Sequence, residues 1–187
     1  MSLVYFTSDL HLGHDLAAEK RGFSSLAEHD DGVIDSFWQA GMTKRDKLFV
    51  LGDIAMSKMG LLRIKSLPTV NVVVLLGNHD VLGSVHYLYV FKDIIGPITY
   101  RSFWLTHIPM NEQEIFTRKG NIHGHIHKDG LTGDLPLPWY NVNWDYHRGP
   151  VLFTDIEEVF DGPEAAQQQI SGPAVYDGGA GKGSQAV

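Results

Sequence analysis

Apolar residues along this chain come in short dense runs, each stopped by a small polar cluster, and that rhythm sets the fold expectation. Leu3 to Ser8 is a partly β-branched and aromatic run, which predicts a buried strand that delivers Asp9 and His11 to its C-terminal edge. The stretch after it reads as a loop. From Ser25 the spacing changes: Leu26, Val33, Ile34, Phe37 and Trp38 recur at helical intervals behind a serine N-cap, predicting a helix to about Ala40 that Gly41 ends. Lys47 to Leu51 and Val70 to Leu76 predict two more buried strands, joined by a helix from about Lys58 to Lys65. This alternation builds parallel sheets whose ligand sites lie at the carboxyl ends of the strands.

Beyond Val81 the order changes. One more helical segment to about Asp93 precedes β-rich runs at Ile98 to Arg101, Phe103 to Thr106, Asn121 to His127, Tyr140 to Asn143 and Val151 to Thr154, so a second sheet is expected. After Phe160 the composition turns to Gly, Gln, Ala and Ser, which predicts one domain over residues 1–160 and a flexible tail over 161–187.

Composition narrows the chemistry. With no cysteine, thiolate metal sites and disulfides are excluded, and any metal must be held by oxygen and nitrogen. A formal charge of −7 with no long basic run disfavours a general grip on duplex DNA or RNA, although two divalent cations would add about four positive charges at one place. No apolar run approaches the roughly 18 residues of a membrane span, and no leader pattern opens the chain, so a cytoplasmic protein is expected. Walker A, G-x-G-x-x-G and G-x-S-x-G patterns are all missing.

What remains is a set of acid, amide and imidazole clusters at the ends of apolar runs: Asp9-x-His11, Gly52-Asp53, Gly77-Asn78-His79-Asp80, Thr106-His107 and Gly124-His125-Ile126-His127. Asp9 and His11, two apart, share one side of an extended strand end. The two oxygens of Asp53 could serve two cations, and His79 with Asp80 reads as an imidazole and carboxylate pair able to donate a proton. In an extended run His123, His125 and His127 fall on one face, with His123 expected behind the other two. His14 could face a substrate, whereas His29, His86 and His147 have no supporting constellation.

In this order and at these separations the clusters resemble the signature of calcineurin-like metallophosphoesterases over roughly residues 1–160, with Thr106 standing where many relatives have glycine. The opening Ser8-Asp9-Leu10-His11-Leu12-Gly13-His14, with Arg21-Gly22-Phe23-Ser24-Ser25 and Glu28-His29-Asp30, is similar to the small bacterial and bacteriophage members. The resemblance implies an α/β/β/α sandwich of two mixed sheets flanked by helices, with a dinuclear metal site at the strand C-terminal ends. It implies that Asp9, His11 and His127 hold one ion, that Asn78, His107 and His125 hold the other, and that Asp53 bridges them. It also implies hydrolysis by a metal-bridging hydroxide, with His79, oriented by Asp80, stabilising the transition state or protonating the leaving oxygen.

The expected activity is therefore that of a metal-dependent phosphodiesterase or phosphatase on small phosphate esters, with cyclic nucleotides, 2′,3′-cyclic ones included, among them. Manganese is the first expectation for the metal, and Fe, Co, Ni and Zn suit the same ligands. Substrate choice is expected from the loops Gly13 to Phe23 and Lys128 to Trp144. Two rival readings stand beside this: a non-catalytic interaction scaffold on the same fold, and a nuclease on polymeric nucleic acid.

Overall fold

A computed structural model describes residues 2–115, 117–128 and 136–162. Val4–Thr7 (β1), Lys47–Leu51 (β2), Val72–Leu75 (β3) and Ile94–Ile95 (β4) run parallel, and Val151–Leu152 (β9) adds an antiparallel edge, giving the order β4-β3-β2-β1-β9. Ile98–Tyr100 (β5), Phe103–Leu105 (β6), Gly120–His123 (β7) and Trp139–Asn141 (β8) form the second sheet, with β5 antiparallel to β6 and the remaining pairs parallel. Both sheets are thus mixed.

Alternation along the strands divides the interior. Leu48 and Val50 point to one side of β2 and Phe49 and Leu51 to the other, as the two-residue strand period requires. The first set packs with Val33 and Phe37 of Leu26–Gln39 (α2), Leu61 of Lys58–Arg63 (α3) and Tyr87 of Ser84–Val90 (α4). The second set faces Phe103, Leu105 and Ile122 across the inter-sheet core, where Phe6 and Phe49 stack at 5.0 Å. Phe153, Ile156 and Phe160 of Phe153–Asp161 (α7) belong to that same core. Helices therefore flank two facing sheets, as the family resemblance implies.

Helix α2 follows its sequence closely. Ser25 accepts a hydrogen bond from the Glu28 amide at 3.2 Å, a cap worth about 1 kcal/mol, and Val33, Ile34 and Phe37 form its buried stripe. Elsewhere local pattern misleads. Asp15–Lys20 (α1) lies in the stretch read as a loop; it buries Ala18 alone, too little to write a period into the sequence. The run from Val151 does not join the second sheet but splits, with Val151–Leu152 pairing β1 and Phe153 opening α7, which continues one residue past Phe160. Strand β4 and the short helices Glu112–Ile115 (α5) and Trp144–His147 (α6) are also unanticipated, each being too short to show a period. The flexible tail expected over 161–187 falls, beyond Gly162, outside the described residues.

Candidate metal centre

Strand register brings the first motifs together. Tyr5 pairs with Leu48 and Thr7 with Val50, so the chain leaves β1 and β2 at the same edge, where the Asp9 amide donates to Gly52 O (2.9 Å) and the His11 amide to Asp53 O (3.0 Å). The second sheet is tied to this edge through the Ser8 amide to Val142 O and the Trp144 amide to Ser8 O, both at 3.1 Å. Asp9, His11, Asp53 and His125 have φ of 57°, 51°, 54° and 69°. Each non-glycine residue in that left-handed region costs about 1 kcal/mol, and such strain collects where function over-determines the backbone. Two motif glycines permit the close approach that results. A Cβ on Gly77 would sit 2.1 Å from Asp53 Oδ1, and one on Gly124 would sit 2.4 Å from Asp9 Oδ2.

Lone pairs converge at two points in this edge. His107 donates through Nδ1 to Leu51 O at 2.8 Å, which leaves Nε2 of the neutral ring bare, facing Asn78 Oδ1 at 2.9 Å and Asp53 Oδ1 at 3.4 Å. His125 Nδ1 meets the same Asn78 oxygen at 2.9 Å. At the second point His127 donates through Nδ1 to Asp145 Oδ2 at 2.5 Å, so its Nε2 faces His11 Nε2 at 3.3 Å and Asp9 Oδ1 at 3.5 Å. Asp9 Oδ1 is buried without a hydrogen-bond donor. Asp53 addresses both points, with Oδ2 lying 3.8 Å from His11 Nε2. Bare lone pairs so close repel, and a divalent cation relieves that repulsion, so the donor set fits a pair of metal ions. Asp9, His11 and His127 bring one ligand atom each within 4.8 Å of one another, and so do Asp9, Asp53 and His107.

Burial sets the protonation states. It pushes Asp9 up to about 6 against the pull of His107, His127 and the hydrogen bond from the His125 amide. Burial also lowers His11, favouring the neutral ring that a metal needs. Asp53 goes the other way: burial opposes its charge, but the adjacent His107 ring, the hydrogen bond from the His79 amide at 2.8 Å and the His11 imidazole bring it to about 2.

A stability prediction follows for Asp9. Its unfolded value is 3.8, so between 3.8 and about 6 the folded state holds the extra proton, and stability falls as pH rises through that window. Above it the full cost is present, roughly 3 kcal/mol at about 1.4 kcal/mol per pKa unit. Urea unfolding of metal-free protein should find Asp9→Asn more stable than wild type at pH 7 and close to it at pH 4. Saturating manganese should reverse the order at pH 7; a metal-free variant weaker than wild type there would refute the argument.

Asp80 departs from its expected role. It does not orient the His79 ring: its Oδ2 accepts from the Gly77 amide (2.8 Å) and its Oδ1 from the Ile54 amide (2.8 Å), the Ala55 amide (3.3 Å) and the Tyr87 hydroxyl (3.2 Å). It is the brace of the Gly77 turn, while His79 stays exposed with its ring 5.5 Å from that of His11. His123, His125 and His127 do not share a strand face either. Strand β7 ends at His123, which is fully buried with Nδ1 donating to Gly124 O, and the left-handed turn at His125 redirects the next two rings. Thr106 serves its turn through its hydroxyl, which donates to Ile108 O at 2.7 Å.

Sequence reasoning missed the support behind His127. Arg21 Nε donates to Asp145 Oδ1 at 2.7 Å, and its other nitrogens reach Asp9 O (2.6 Å), Leu10 O (2.8 Å) and His29 Nε2 (2.8 Å). Because a guanidinium only donates, His29 must accept at Nε2 and donate through Nδ1 to Asp30 at 2.9 Å. His29 is therefore a buried link in the chain Asp30, His29, Arg21, Asp145, His127. Asp145 carries no motif of its own, but Arg21, His29 and Asp30 all lie in the stretch that resembles the small phage members.

Comparison with known proteins shows the family and the fold. The family model described as calcineurin-like phosphoesterase matches residues 2–167. Over 55 residues the chain is 38% identical to the Gene 66 protein of Mycobacterium phage L5 and 42% identical to that of Mycobacterium phage D29. These matches cover 29% of this chain and span 27% of the length of each relative. A crystal structure of a protein of unknown function from Aquifex aeolicus superposes with a TM-score of 0.68 at 19% identity, over 85% of this chain and 100% of that one, and so shares the fold. No helix among the described residues is long and apolar enough to cross a membrane.

Proposed function

Since the chain belongs to the calcineurin-like phosphoesterase family, we propose that it hydrolyses phosphate esters at the Asp, His and Asn cluster with two divalent cations bound. Asp9, His11 and His127 would hold one and Asn78, His107 and His125 the other, with the Asp53 carboxylate shared between the two sets. The observation that carries this is the division of Asp53, with Oδ1 3.4 Å from His107 Nε2 and Oδ2 3.8 Å from His11 Nε2. Bound cations supply Lewis acidity, lowering the pKa of water and neutralising charge on the phosphoryl oxygens.

The chain's own groups supply the rest. Arg21 and Asp145 fix the His127 ring so that Nε2 faces the site, and Leu51 O does the same for His107. His79, exposed at the rim beside His11, is the group placed to give a proton to the leaving oxygen. Asp80 keeps the turn that presents it. Manganese is the first choice of metal among those this ligand set suits, and small phosphate esters, cyclic nucleotides included, are the substrate class. The phage relatives favour work in the cytoplasm of an infected host.

Protein stripped with a chelator should lose hydrolysis of bis-p-nitrophenyl phosphate and regain it with manganese. Activity indifferent to both treatments would contradict the reading. A panel of mono- and diesters and cyclic nucleotides, run on the reloaded protein, then ranks the substrates.

A further inference from the structure

A cavity of about 350 Å³ opens beside the metal centre, lined by His11, His79 and His127 at the site and by Lys20, Lys128 and Arg148 as well. Its size is that of a pocket for a small ligand, roughly 300–1,000 Å³. The charge here runs against that of the chain, which is −7 overall. The lining carboxylate, Asp145, is already engaged by Arg21 and His127. Arg21 is spent as well, on Asp145, His29 and two carbonyls.

Arg148 is disposed differently. Its guanidinium lies over the Trp144 ring, 4.8 Å from the centroid, a cation–π contact that uses its charge and leaves N–H donors for an acceptor. Lys128 sits 5.5 Å from the Tyr146 ring, a contact that likewise leaves ammonium donors to be used. A fork of guanidinium donors beside an ammonium matches a tetrahedral oxyanion, and Leu16 adds an apolar stretch to the same lining.

Resting on the phosphoesterase reading above, we infer that the substrate carries a second phosphate, seated on Lys128 and Arg148 while the scissile ester lies at the metal centre. A nucleotide phosphorylated at two positions meets that description. The cavity thus selects the part of the substrate that does not react.

Two chromogenic esters isolate the second phosphate: thymidine 5′-(p-nitrophenyl phosphate) and the same compound bearing a 3′-phosphate. With manganese-loaded protein the 3′-phosphorylated ester should be preferred by about tenfold in kcat/KM, the scale of a charge-assisted contact. That ratio, whatever the absolute rates, should fall to about one in the double variant Lys128→Gln/Arg148→Gln and only partway in Arg148→Lys, which keeps the charge but loses the fork. A ratio near one in wild type, or one unchanged in the double variant, overturns the inference. If neither ester is cleaved with any metal, the phosphoesterase reading fails, and calorimetric titration with thymidine 3′,5′-bisphosphate still decides the pocket. There the double variant should bind about tenfold more weakly than wild type, and equal affinities refute the pocket.

Discussion

Asp53→Asn is expected to lower turnover by roughly three orders of magnitude, the scale seen when a group through which several others act is removed. The substitution keeps size and shape, and an amide oxygen can still accept from the His79 amide, which Asp53 Oδ1 does at 2.8 Å. Asparagine also tolerates the left-handed backbone at φ 54° better than other replacements. What it removes is the negative charge shared between the His11 and His107 sides. Because the carboxylate is 1% exposed, its loss cannot be made good by solvent. Circular dichroism should show the fold intact, so the loss is read as lost metal binding. A variant retaining more than about a tenth of wild-type turnover would be incompatible with a bridging role.

His79→Gln should act on a different step. Its ring belongs to neither cluster of converging lone pairs, so metal content should match wild type while turnover falls by about a hundredfold on esters with basic leaving groups. General acid assistance matters less as the leaving oxygen becomes less basic, so the loss should shrink with p-nitrophenyl esters. Measured over a series of leaving groups, the variant should show a steeper dependence of rate on leaving-group pKa. An equal loss across the series would assign His79 to binding or to charge stabilisation instead.

Much of this was legible along the chain because strand-end motifs are local. The parallel sheet of β1, β2 and β3 is written as apolar runs, and each run stops at a polar cluster, so the pattern alone places Asp9, Asp53 and Asn78 at one edge. Whatever depends on a turn's handedness could not be read. The strand period puts His123, His125 and His127 on one face, whereas the strand stops at His123 and the left-handed residue at His125 then separates the buried ring from the other two. Asp80 next to His79 looks like a catalytic pair, yet the nearby amides of Gly77, Ile54 and Ala55 occupy its oxygens. Asp145 lies 124 positions from Arg21 and 18 from His127, and no local pattern records that the three meet. Short elements such as α1 and β4 bury too few residues to leave a periodic trace.

The most direct test counts metal ions. Metal-free protein titrated with manganese in a calorimeter, with bound metal checked by mass analysis, should take up two ions per chain, and Asp53→Asn should fail to hold the pair. Saturation of the wild type at one ion or none, or two ions held by Asp53→Asn with undiminished affinity, would contradict the account.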